Sequence, residues 1–265
     1  MNGRLGHLET QVLAYAQMRQ APTIRTGELA QSLRLPSQQV QEVIARLARR
    51  GLVAKVRRGL YLVPLRLPLG GTWSPDPILA LTTLMEDRGA QYQICGPNAF
   101  NRYGFDEQVP ARLYVYNNRL SRGRTIGSVE MTLIKVTDGR LGGTEEVTTP
   151  EGLKAIYSSR VRTLVDAVYD WSRFSSLPRA YEWIRRELSS GRVTAVDLAR
   201  TTVEYGNQAA LQRIGFLLEQ EGASRSALAT LQRALPPSAS VIPCNPVGSK
   251  RGAVNRCWKV ILNEP

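Results

Sequence analysis

One stretch constrains this chain more than any other: residues 26–64, TGELAQSLRLPSQQVQEVIARLARRGLVAKVRRGLYLVP. After Thr26, which can cap a helix, Leu29, Ala30 and Leu33 recur at helical spacing. Leu35-Pro36 ends that helix, because the residue before a proline is disfavoured in the α region. Ser37 is placed to cap a second helix in which Val40, Ile44 and Leu47 share one face and Gln38, Gln41, Glu42, Ala45 and Arg49 the other. Gly51, after Arg49 and Arg50, stops it. Residues 52–56 and 60–64 are short apolar runs around Arg57-Arg58-Gly59, and they read as two strands joined by a glycine turn.

Helix, tight turn, helix and basic-tipped hairpin, in that order, make a winged helix-turn-helix. The N-terminal half of the second helix of such a unit fits the major groove, where Gln and Arg side chains can pair with base edges. Ser37, Gln38, Gln39, Gln41 and Glu42 are therefore the candidates to reach bases. Arg46, Arg49, Lys55, Arg57 and Arg58 are the candidates for phosphates, contacts that position a protein on the duplex and carry no sequence information. The plainer alternative is a winged helix that docks a protein, its glutamines and arginines forming a solvated face. Charge favours double-stranded DNA. Residues 1–70 carry 11 basic and 3 acidic side chains and residues 71–265 carry 24 and 19, so 8 of the 13 net positive charges fall in the first quarter, beside the motif.

A chain of 265 residues supports two or three compact units. The prolines and glycine pair of PLRLPLGGTWSPDP place a boundary near Gly70, giving a DNA-binding unit at 1–70 and a larger unit at 71–265. The expected class is α+β. A helix is expected at 5–20, and in the larger unit a sheet-rich part at 71–158 carries an antiparallel sheet with strands near 92–95, 113–116, 126–136, 145–148 and 153–158. Ser74 or Asp76 can start a helix there, and 97–103 reads as another. A helical bundle follows at 159–238, with Ser159 as one cap and Thr194, backed by Asp197, as another. The last part, 239–265, closes as a hairpin of 241–245 with 256–262, in which Cys244 and Cys257 could face each other as free thiols.

Between two of the expected strands lies NNRLSRGRT, with Arg119, Arg122 and Arg124 and no acid. A basic hairpin tip of this kind is a candidate second contact for DNA or RNA, or else an ordinary soluble turn. No run approaches the ~20 apolar residues of a membrane span, and the N-terminus lacks the apolar core of a secretory signal, so a cytoplasmic protein with no membrane partner is expected. Three cysteines without CxxC spacing and a single histidine, His7, leave too few ligands for a zinc site, and no cofactor is expected.

The wing RRGLYLVP, the segments YQICGPNAFNRYGF and VPARLYVYNN, the helix SSRVRTLVDAV and the closing CWKVILN, in this order, resemble the antitoxins of AbiE-type abortive-infection (type IV toxin–antitoxin) systems. The resemblance implies a transcriptional repressor of its own operon that binds inverted repeats at the promoter. It also implies an antidote to a co-encoded nucleotidyltransferase-like toxin, acting without a necessary stable complex. The DNA-contact role carries over onto Gln38, Gln41, Arg46, Arg57 and Arg58, whereas Arg162 and Asp166, at i and i+4 on one helix, are more simply read as a structural pair. An inverted repeat requires two protomers, as a homodimer or as monomers binding cooperatively.

Catalysis is not expected. A metal-dependent phosphoryl-transfer site needs converging carboxylates, and the acidic pairs Glu86-Asp87, Asp106-Glu107 and Glu145-Glu146 lie at expected element ends without a phosphate-binding glycine loop. A ligand-responsive repressor is the other alternative, since an apolar pocket has no compact motif.

Overall fold

The computed structural model describes residues 5–66 and 73–263. The expected helix pair is present: α1 (His7–Met18), β1 (Thr23–Arg25), α2 (Thr26–Leu33) and α3 (Ser37–Arg49) precede the hairpin of β2 (Ala54–Arg57) and β3 (Leu60–Leu62), with β1 added to form a sheet ordered β1-β3-β2. Val12, Leu13, Leu29, Val40, Val43, Ile44 and Leu47 make its helical core. The caps differ from expectation. Arg25 and Pro36 occupy the N-cap positions, and neither Thr26 nor Ser37 caps with its side chain, since each is already the first residue of its helix. The turn is closed instead by Arg34 in the left-handed region (φ 52°), with the Leu35 N–H donating to the Ala30 carbonyl.

The boundary placed near Gly70 lies outside the described residues. On either side of it the two parts share a core. Ala54, Val56, Leu60 and Leu62 point away from the helices of the winged unit and pack with Ile78, Leu81 and Leu84 of α4 (Pro77–Arg88) and with Val129 and Met131. Each large apolar side chain buried in this way stabilises by about 1.5–3 kcal/mol. Val53, Val63 and Ile24 face the winged unit's own core.

The larger part is built on a six-stranded sheet of β4 (Tyr92–Ile94), β5 (Leu113–Asn117), β6 (Arg122–Ile126), β7 (Val129–Lys135), β8 (Thr144–Thr148) and β9 (Lys154–Ser158), ordered β6-β7-β5-β4-β9-β8. The α+β class holds, but the sheet is mixed: β5 runs parallel to β7 and β4 parallel to β9, and the other joins are antiparallel. The hairpin is β6–β7, turning at Gly127 (φ 62°), and it swings so that β7 lies beside β5. Residues 117–125 are therefore not a hairpin tip. Arg122 and Arg124 stand on the exposed edge strand β6, and Arg119 lies in the turn that leads to it.

One face of this sheet meets α4 and the wing hairpin; the other carries Tyr116 and Ile134 against the bundle of α6 (Arg160–Tyr169), α7 (Trp171–Phe174), α8 (Arg179–Ser189), α9 (Ala195–Tyr205), α10 (Gln208–Gln220) and α11 (Arg225–Ala234). α5 (Pro97–Arg102) sits at the N-terminal side of β5. Asp76, Ser159 and Thr194 cap their helices as the sequence implied. The closing segment departs from a simple hairpin: β12 (Val260–Leu262) pairs antiparallel with β11 (Ala253–Asn255) but parallel with β10 (Ile242–Pro243). The parallel join puts Cys244 beside Ile261 and leaves Cys257 at the far end of β12, accepting from Gln232, so the two free thiols do not face each other.

Candidate nucleic-acid interface

α3 is amphipathic, with Val40, Val43, Ile44 and Leu47 buried and Gln38, Gln41, Glu42, Ala45 and Arg49 exposed. Gln38, Gln41, Glu42 and Ala45 look across an open groove at Arg58, Gly59 and Tyr61 of the wing. The wing tip is fixed to the start of α2: the Thr26 N–H donates to the Gly59 carbonyl at 3.1 Å, and Gly59 takes a φ of +84° that few other residues adopt. Lys55 lies opposite Tyr61 in the β2–β3 register, which puts its exposed side chain on the groove's side of the hairpin. Ser37 is exposed at the N-terminal end of α3, while Gln39 lies half-buried on its flank. Gln38 Nε2 donates to Glu42 at 3.2 Å, so these two polar side chains restrain each other's reach.

Two of the expected phosphate ligands are engaged inside the protein. Arg46 lies 3.7 Å from Glu9, a buried acid of α1 that also accepts from Arg50 at 2.7 Å, and this tie fixes α1 against α3. Arg57 departs further from expectation. Its Nε and Nη2 donate to both carboxylate oxygens of Asp87 on α4 at 2.7–2.9 Å, and its Nη1 donates to the Arg58 carbonyl at 2.7 Å. These hydrogen bonds from Arg57 hold the Asp87 carboxyl below its ordinary range against the opposing effect of burial, with Arg88 and Arg25 adding to the pull. The sequence marked Glu86-Asp87 only as an acidic pair at a helix end, and nothing in its spacing points to a partner thirty residues earlier.

The groove thus gathers Gln38, Gln41, Glu42 and Arg58, flanked by Lys55 and Arg49, and leaves Arg57 and Arg46 to structural pairs. Away from the groove, Arg119, Arg122 and Arg124 are exposed and pair with no acid among the described residues.

Arg162 and Asp166 are both fully buried and form a structural pair at 2.9 Å. Asp166 also accepts from Arg140 at 2.5 Å and from Ser158 at 3.2 Å, and Arg162 donates to the carbonyls of Gly142 and Arg140. The Arg140 guanidinium lies 3.9 Å from the centre of the Tyr169 ring and that of Arg162 4.2 Å from Tyr205, which compensates charge in the core. The acidic pairs lie apart: Asp106 binds Arg179, Glu145 accepts from Tyr103, and Glu146 pairs with Lys154. Among the described residues, no group of three or more His, Cys, Asp or Glu is placed to hold a metal ion, and no helix is long and apolar enough to cross a membrane.

No curated protein sequence matches the chain. A crystal structure of the RV2827C protein from Mycobacterium tuberculosis shares the fold, with a TM-score of 0.56 over 97% of this chain and 92% of that one at 17% identity. The family model described as "Transcriptional regulator, AbiEi antitoxin" matches residues 11–64, the segment that builds the groove, and this part of the chain is similar to that family.

Proposed function

We propose that the protein is a DNA-binding repressor of its own operon and the antitoxin of a type IV, abortive-infection toxin–antitoxin pair, opposing a co-encoded nucleotidyltransferase-like toxin. Residues 1–70 bind the promoter and residues 71–265 carry the antitoxin function. The observation that carries the reading is the coincidence of the family match over 11–64 with the groove between α3 and the wing. Gln38, Gln41 and Glu42, with Ser37 at the helix start and Gln39 on its flank, read bases; Arg49, Lys55 and Arg58 hold phosphates, helped by Arg46 where Glu9 releases it. Arg122 and Arg124, with Arg119 before them, form a second polyanion contact on an edge strand whose exposed face is basic. Promoter inverted repeats are met by two protomers, as a homodimer or as monomers binding cooperatively. The protein acts in the cytoplasm and needs no cofactor.

Co-expression of the full chain with the product of the adjacent reading frame tests the antitoxin part. Rescue of growth from a toxic neighbour is the expected result. Growth arrest in the presence of soluble full-length protein would remove it.

A further inference from the structure

Arginine has five N–H donors, and at the wing tip three of its nitrogens are in use on Arg57: Nε and Nη2 hold Asp87 and Nη1 holds the Arg58 carbonyl. Asp87 is 6% exposed at its side chain, and its remaining cationic neighbours, Arg88 at 3.7 Å and Arg25 at 4.0 Å, pair with it by charge but lie beyond hydrogen-bond distance. Drawing Arg57 away to a DNA phosphate would exchange a bidentate, partly desolvated pair for one contact to a solvated anion and leave Asp87 short of partners. Asp87 belongs to α4, in the larger part of the chain, whereas Arg58, beside Arg57, is exposed and lines the groove.

We infer that Arg57 and Asp87 are positioning residues: α4 sets the wing tip through them, at the place where Arg58 and Lys55 meet the DNA backbone, and Arg57 itself touches no phosphate. The inference rests on the DNA-binding reading. It assigns to α4 a share in DNA binding without any contact between α4 and DNA.

The experiment measures binding of the full-length protein, as a function of salt, to a duplex of the sequence immediately upstream of its own coding region and to a random duplex of equal length. Loss of a phosphate ligand lowers the salt slope by about 0.9, the change expected for Arg58→Ala. Arg57→Ala and Asp87→Asn are each expected to weaken binding by about five- to tenfold, the order expected when a partly buried charge pair is broken, and the double variant to be no weaker than either single one. Removing an acid by itself favours DNA, so weaker binding by Asp87→Asn runs against net charge and reports position. Asp87→Glu keeps the charge, moves the carboxylate by one methylene, and is expected to fall between wild type and Asp87→Asn. Tighter binding by Asp87→Asn, or a slope for Arg57→Ala matching that of Arg58→Ala, would overturn the inference while leaving DNA binding intact. Wild-type protein that binds neither duplex would instead overturn the DNA-binding reading beneath it.

Discussion

Asp166 is the residue on which the buried polar cluster turns, because one carboxylate faces the two buried guanidinium groups of Arg140 and Arg162. Removing the acid leaves both cations without a counter-charge in the core. Asp166→Ala is therefore expected to destabilise the protein by about 3–5 kcal/mol in urea denaturation, in the range found when one partner of a buried pair is deleted. An effect below about 1 kcal/mol, the size of a surface pair, would show that the cluster is open to solvent. The helical spacing of Arg162 and Asp166 was legible in the sequence. Arg140 was not, since it reaches Asp166 from a turn twenty-six residues away.

Asp87 makes a pH-dependent contribution. Its carboxyl is held below the ordinary range by Arg57, so the stability it supplies is fully present above about pH 4, the unfolded value, and is lost as pH falls through the folded value. The difference in unfolding free energy between wild type and Asp87→Asn should shrink steadily below that pH. A difference independent of pH between neutrality and acid would contradict the pairing.

At the scale of elements, Gly215 in α10 seats the closing strand. A Cβ added there would fall 2.2 Å from the fully buried ring of Trp258. Gly215→Ala gains helix propensity of about 1 kcal/mol but overpacks a site where neither backbone nor ring can yield, which typically costs 1–3 kcal/mol. The expected outcome is a net loss of stability in chemical denaturation together with a changed Trp fluorescence. A stabilised variant would mean that β12 and α10 are not held together as the structure has them.

Elements with a strong period were readable: α3 from its apolar face, the wing from two short runs about a glycine turn, and α6 and α9 from Ser159 and Thr194. Strand partners were not. Alternation states that a strand has two faces and says nothing of its neighbour, so the parallel joins β5–β7, β4–β9 and β10–β12 were missed. The basic segment 117–125 was placed on the wrong element for the same reason. The groove's polar face was legible because exposure follows helical spacing, whereas the withdrawal of Arg57 into an ion pair depends on α4, a distant element.

At the scale of the molecule, the wing hairpin joins the winged unit to the large sheet. A signal for this was present: Ala54, Val56, Leu60 and Leu62 alternate with Lys55, Arg57 and Tyr61, so the hairpin carries an apolar face of its own that a free-standing wing would leave in water. Cutting the chain at residue 70 would expose Ile78, Leu81, Val129 and Met131 together. The fragment 71–265 is expected to melt at least several degrees below the full chain and to self-associate, because a contiguous apolar patch is uncovered. A monomeric fragment with an unchanged melting temperature would show that the shared core contributes little. Separation of the two proposed activities is therefore better tested by point substitutions in α3 than by truncation.

The proposed function requires that α3 read DNA sequence across the groove it shares with the wing. The most direct measurement compares the full-length protein and Gln41→Ala on the upstream duplex and on a random duplex of the same length, at one fixed salt concentration. The expected result is a wild-type preference for the upstream duplex that Gln41→Ala reduces by about tenfold, the lower part of the 1–3 kcal/mol range for a lost base contact, with binding to random DNA unchanged. Equal reduction on both duplexes, or no reduction on either, would contradict it.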